Sequence, residues 1–440
     1  MKAGAAIPLL ALLACQPPPP VVRIGDLTVL LHLPPDQSPL QNLIALNVRV
    51  VDETGAAIEE RHYAPDEQID FEIQPVGKAV EIVLEGYADR DTMVARGSTG
   101  LVDADGPHRV GLYFGSRRSF GAVPSAEQPR LAEHAAIPLL DGQVLIAGGR
   151  RDGAPLAQVW RYDPVSAQFT LVGVLSTART RIAAGRLADG RVLLAGGFDE
   201  SGAPSDAIDV YDPEVDAITA LNAAIAGVGG ACAVALADGR VAIANGVTAL
   251  GDSSDLLLFD GRLGPPATEV LAGPGRSQHV CGSLGDGLIA IGGRGAASIT
   301  ATHVASDGSS QSLALPYPIV DGAAFIDGSE VAVVCGSENQ TAAVSVTEVD
   351  GTASISDRWR LALARTACTA TPLRDGTLLV VGGHQAQSAV SQAEILHRDG
   401  SALTVEAPLE PRASHTATRL PGGEVLIVGG DDQPPRLFVP

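Results

Sequence analysis

The sequence predicts an all-β chain in which a small immunoglobulin-like β-sandwich precedes a sevenfold repeat. Three observations predict it. Glycine supplies 50 and proline 30 of the 440 residues, while aromatics are only 4%. That mix gives short apolar strands cut by turns, not long helices. An Asp-Gly turn recurs at Asp141, Asp189, Asp238, Asp286, Asp327 and Asp375, with Gly422-Gly423 in the seventh place. The steps are 48, 49, 48, 41, 48 and 47 residues, the signature of a repeat architecture. Each turn is followed by an apolar run that ends in a pair of small residues.

The N-terminus reads as an address. Lys2 is the charged region and Ala3 to Leu13 the apolar region of a signal peptide over residues 1–14, too short to remain as a membrane span. Leu12-Leu13-Ala14-Cys15 resembles a lipobox, the bacterial signal for acylating a cysteine and cleaving before it. The resemblance implies lipidation at Cys15, a stable anchor when two or more acyl chains are attached. Gln16 follows, where an Asp would imply retention at the inner membrane, so the expected location is the outer membrane or cell surface. Residues 15–21 include Pro17 to Pro20, a stiff tether.

Residues 22–116 alternate apolar and polar side chains in short runs, for example 27–31, 45–51, 69–73, 80–84 and 110–114. Turn signals separate them, such as Pro34-Pro35-Asp36 and Asp52-Glu53-Thr54-Gly55. About seven strands in this length read as an immunoglobulin-like sandwich. No catalytic cluster stands out in it, and its expected role is a spacer.

The repeats fill residues 118–440. Val144-Leu145-Ile146-Ala147-Gly148-Gly149 recurs as Val192 to Gly197, Leu378 to Gly383 and Val425 to Gly430. Repeat four ends in Gly292-Gly293; repeats three and five are degenerate, with Asn245-Gly246 and Cys335-Gly336. Tyr162 and Tyr211 follow in the first two repeats, with Phe169 and Ile218 seven residues later. This pattern resembles Kelch repeats, strongly in the glycine pairs and less so where Phe or Ile replaces Trp. The resemblance implies a four-stranded blade per repeat and a seven-bladed β-propeller. Within a repeat, strand a enters the Asp-Gly turn, strand b leaves it, and c and d follow. The last repeat lacks a strand d after Arg436 to Val439, and Ser119 to Pro124 resembles the missing strand. That segment is expected to close the ring and leave no open edge.

Two positions recur in phase. Arg179, Arg276, Arg365 and Arg412 lie ten residues before the turn, and His134, His279 and His415 lie seven before it. As ligand-binding residues they would ring the mouth of the central channel and hold a polar or anionic ligand. As repeat-consensus residues they would bond carbonyls of neighbouring blades. Recurrence at one phase favours the second role, because a ligand site breaks repeat symmetry.

The remaining features exclude more than they identify. The formal net charge of −21 argues against nucleic acid as a partner. Cys232, Cys281, Cys335 and Cys368 form no CxxC pair, so zinc is not expected. Disulfides are permitted outside the cytoplasm, but small buried thiols are the preferred reading. Asp199-Glu200 and Asp431-Asp432 read as solvated loops. No cofactor and no catalytic residue is expected, and the function expected is a binding or scaffold protein that recognises protein or glycan through its b–c loops. The alternative is a copper-dependent oxidase resembling galactose oxidase, which would imply two His and two Tyr, one Tyr crosslinked to Cys.

Overall fold

The computed structural model describes residues 21–440, apart from 25–26, 66, 68–69, 72–78, 104–108, 223–224, 272, 328, 350–351, 357–358, 407–408 and 431–432. The expected signal peptide, Cys15 and the tether up to Pro20 lie outside the described residues, as do Asp431 and Asp432.

The front of the chain forms two facing sheets. One runs in the order Ala57–Tyr63, Ala45–Asp52, Ala79–Tyr87, Met93–Asp103, Gly115–Ser116. The other runs Asp70–Phe71, Val21–Ile24, Leu27–His32, Arg109–Tyr113. Alternate residues on the strands, including Leu46, Val48, Val50, Val80, Ile82, Leu84, Val110 and Leu112, point into one core, as the period of two requires. Leu27–His32 pairs in parallel with Arg109–Tyr113. Sequence reading passed over Ala57–Tyr63, because Ala-Ile-Glu-Glu-Arg-His-Tyr carries no apolar alternation. It is an edge strand whose side chains are mostly exposed.

Behind it, the described residues form seven four-stranded antiparallel sheets. The first is Ala135–Pro138, Val144–Ala147, Gln158–Asp163, Gln168–Val174. The innermost strands are Ala135–Pro138, Ala183–Arg186, Cys232–Ala235, Val280–Leu284, Gly322–Asp327, Thr369–Pro372 and His415–Arg419. They touch one another in sequence, and the last returns against the first. Each second strand is buried on both faces, for instance Val192, Leu193, Leu194 and Ala195 at 0% exposure. Full burial of such a side chain stabilises by about 2 kcal/mol. The ring closes where expected: Ser119–Ala122 pairs with Arg436–Val439, and Phe120 packs on Phe438 with ring centroids 5.0 Å apart.

The glycine pairs have a steric cause. Gly148 and Gly149 take φ of +63° and +93°, where side chains are disfavoured. In the next repeat a Cβ on Gly196 would run into the carbonyl oxygen of Val228 in the following blade. The second glycine of the pair ties neighbouring blades together: Gly149 N–H donates to Arg179 O at 2.9 Å and Gly383 N–H to Arg412 O at 2.9 Å.

The cysteines correct the expectation of free thiols. Cys232 bonds to Cys281 and Cys335 to Cys368. Cys232 and Cys281 lie on adjacent innermost strands, and Cys335 ends a second strand beside the entry to the sixth blade.

The sandwich sits on one face of the ring. His32 Nε2 donates to Val165 O at 2.8 Å in the turn after Asp163. Arg374, at an Asp-Gly turn, pairs with Glu81 of the sandwich. The longer loops between second and third strands lie on the opposite face.

Candidate functional site

The two recurrent positions fall differently from the ligand-binding reading. Arg179, Arg276, Arg365 and Arg412 are at most 1% exposed, so they do not ring the channel mouth. Each guanidinium instead clamps its own blade where the chain crosses from second to third strand. Arg179 donates to Gly196 O at 2.8 Å and Ala207 O at 2.6 Å and pairs with Asp209. Arg276 reaches Gly292 O at 2.7 Å and Thr300 O at 2.9 Å. Arg365 donates to Gln392 O at 3.0 Å and pairs with Glu394 at 2.7 Å. Arg412 donates to Gly429 O at 3.3 Å and pairs with Glu410 at 3.0 Å. The carbonyls lie in the same blade as the side chain, not in a neighbouring one.

The histidines bridge blades. His134 Nε2 lies 2.7 Å from Thr416 Oγ1, His415 Nε2 lies 2.9 Å from Thr369 Oγ1, and His279 Nε2 lies 3.2 Å from Cys232 Sγ. Each ring reaches the equivalent strand of the preceding blade. Burial lowers His134 to about 3 and His279 to about 4, so the imidazoles are neutral at physiological pH. Their ring edges line the mouth while their Nε2 atoms serve the scaffold.

The mouth itself is built in six blades by the residue just before the histidine phase, eight residues before the turn, and in blade five by Asp321, six residues before its turn. Seven equivalent residues, Glu133, Arg181, Gly230, Gln278, Asp321, Ala367 and Ser414, all take φ between +49° and +59°. That left-handed turn carries the chain out of the outer blade and down into the channel. It also aims backbone groups around the ring: Glu133 N–H donates to Ser414 O at 2.9 Å, and Arg181 N–H to Glu133 O at 2.8 Å. Asp321 N–H donates to Gln278 O at 2.9 Å, and Ala367 N–H to Asp321 O at 2.7 Å.

Here the repeat symmetry breaks. In blades one and two, Glu133 accepts from Arg150 at 3.1 Å and from Arg181 at 2.9 Å. In blades four and five, Gln278 accepts from Arg294 and donates to Asp321 at 2.8 Å. Between these two polar bridges stand Gly230 on one side and Ala367 and Ser414 on the other. Phe198 leans over Gly229 and Gly230. The result is an open cavity of about 340 Å³, lined also by His384. Burial raises Asp321 above the ordinary carboxylate range, against the pull of Arg181 and Arg294. A half-buried carboxyl, an amide and guanidiniums in a fixed frame can orient a compact polar group. Sequence reading missed Glu133, Arg181, Gln278 and Asp321, because the seven equivalent positions carry seven different residue types and Asp321 stands off the common spacing.

Comparison with known proteins agrees with the fold. A family model for the Kelch motif matches residues 134–173. A fungal alcohol oxidase of the AA5 family in complex with copper is 16% identical with a TM-score of 0.57. That match covers 72% of this chain and 75% of the oxidase. The structure of YjhT is 15% identical with a TM-score of 0.48, over 64% of this chain and 98% of YjhT. No curated protein matches. The fold is a Kelch-type β-propeller. At such identities the likeness extends to fold alone.

The copper set implied by a galactose-oxidase resemblance does not fit these residues. Cys232, Cys281, Cys335 and Cys368 are all held in disulfides. The Tyr211 hydroxyl donates to Asp216 at 2.8 Å and that of Tyr317 to Ala342 O. His134 and His415 have committed Nε2 to threonine hydroxyls.

Proposed function

We propose that this chain is an exported, lipid-anchored binding or scaffold protein that recognises a protein or glycan partner through the loop face of its propeller, without catalysing a reaction. The observation that carries this reading is the broken symmetry of the mouth. Every blade presents the same left-handed residue there, yet only four carry the polar side chains that form the two bridges. A scaffold needs no such difference, whereas a recognition site does.

The loops around the mouth differ as well. Blade one offers a short hairpin at Arg150–Arg151 and Ala154–Pro155, blade three one at Val247–Thr248 and Gly251–Asp252, and blade four a 3₁₀ turn at Gly295–Ile299. Such variable loops on a rigid frame are where binding specificity resides. Attachment of the sandwich to the opposite face supports a reading in which the loops stay open to a partner. Two disulfides suit an oxidising compartment such as the cell surface, and the net charge of −21 speaks against nucleic acid.

The test is capture from solubilised cell envelope by the protein starting at Gln16. The double variant Arg181→Ala with Asp321→Ala opens both bridges without touching the buried arginine clamps. The expected result is that the wild type retains a partner and the variant, equally stable to heat, loses it. Retention of the same partner by both would move recognition away from the mouth.

A further inference from the structure

The seam between the sandwich and the ring contains a buried carboxyl. Glu424 follows the Pro421–Gly423 turn of the seventh blade and is 4% exposed. The equivalent residues of blades two and three are Arg191 and Arg240, which reach back to their own turn aspartates. Blade seven differs because Ser98–Gly100 of the sandwich lies across its turn. A Cβ on Gly422 would run into Ser98 O, and one on Gly100 into Pro421 O. Glu424 is thereby drawn into a cavity of about 540 Å³ between the two units.

The groups facing it come from every side. The sandwich contributes Arg96 and Tyr113, blade one Tyr162 and Asp141, blade six Arg374, and blade seven Arg419. Arg374 is already engaged by Glu81 and by Pro421 O, and Arg419 donates to Pro372 O at 3.0 Å. Among the described residues, no cation comes within ion-pair distance of Glu424.

We propose that Glu424 is a proton-operated latch: with its carboxyl protonated the sandwich stays seated on the turn face, and ionisation loosens the seam. Burial raises the carboxyl to about 7, opposed by its own backbone N–H, Arg96, the backbone of Ser98 and Arg374. In an open seam it would titrate near its ordinary 4.5. The closed form therefore holds a proton that the open form has lost. Closure is favoured most below about 4.5, weakens as the pH rises toward 7, and changes little above it. His32, whose Nε2 donates to Val165 O across the seam, is held below its ordinary 6.5 by burial. Its titration in an open seam works against the latch, strengthening closure as the pH rises through 6.5, so the test is run in a His32→Gln background.

The measurement is hydrogen exchange on the full chain at pH 6.0 and 8.5, corrected for intrinsic rates. The reporters are the seam amides of Leu420, Gly423 and Gly100, bonded to Glu424 O, Leu420 O and Ser98 Oγ. Leu187 and Gly190 make the same turn in blade two, outside the seam, and serve as the internal reference. Protection at the seam is expected to fall roughly tenfold between the two pH values while blade two stays constant. In Glu424→Gln the seam is expected to stay flat. A seam that tracks blade two while Glu424 is present, or that keeps its loss of protection once Glu424→Gln is added, would overturn the latch.

Discussion

Arg365 and Glu394 are both at 0% exposure and meet at 2.7 Å. Withdrawing two charges from water is unfavourable, and the mutual pairing, the carbonyl of Gln392 accepting from Arg365 and the Ala362 N–H donating to Glu394 at 2.6 Å offset it. Arg365→Ala is expected to leave Glu394 buried without a counter-charge and to cost about 3–5 kcal/mol of stability, read as a lower midpoint in urea. The four arginines were legible as a repeat position, because a fixed spacing before the turn survives in any register. Their role was not legible, because spacing places a residue on a strand without saying whether its side chain runs inward along the blade or outward to the channel. The mouth residues show the reverse. Glu133, Arg181, Gln278 and Asp321 share a backbone conformation but no residue type. The signal that could have found the first three was the variation itself, one residue before the recurrent histidine position, while Asp321 stands two residues off that spacing.

At the scale of the strand, the glycine pairs and apolar runs were fully readable, since both follow from local sterics and burial. The cysteines were not. Cys232 and Cys281 stand 49 residues apart, close to one repeat step of 48, so a ring of blades sets them side by side. That coincidence was available in the sequence, but it acquires meaning only once strands one repeat apart are known to touch. Cys335 and Cys368, 33 residues apart, carry no such signal, because one ends a second strand and the other begins a first. Closing loops of these lengths removes freedom from the unfolded chain worth about 4 kcal/mol for each bridge. Reduction with a thiol is expected to lower the thermal midpoint markedly. An unchanged midpoint, with four free thiols counted, would show that the bridges contribute little.

At the scale of the molecule, sandwich and ring divide the surface into two faces. The turn face is occupied by the sandwich through Glu81, Ser98 and His32, and the loop face is open around a mouth of about 340 Å³. Closure through Ser119–Ala122 holds the mouth rigid, which favours binding by a preorganised frame. The ring closure was legible because a missing strand at one end and a spare one at the other form a single pattern. The seating of the sandwich was not, because it rests on contacts such as Gly422 against Ser98 that have no sequence period.

The central claim is that the loop face around the mouth meets the partner. The most direct test inserts a photo-crosslinking amino acid at Phe198 or His384 on the loop face, and at Val215 on an outer turn, 69% exposed. Each protein is then irradiated in cell envelope. Adducts of one defined mass from the first two positions and none from the third are the predicted result. Adducts from Val215, with Phe198 and His384 silent, would contradict it and assign recognition to the opposite face.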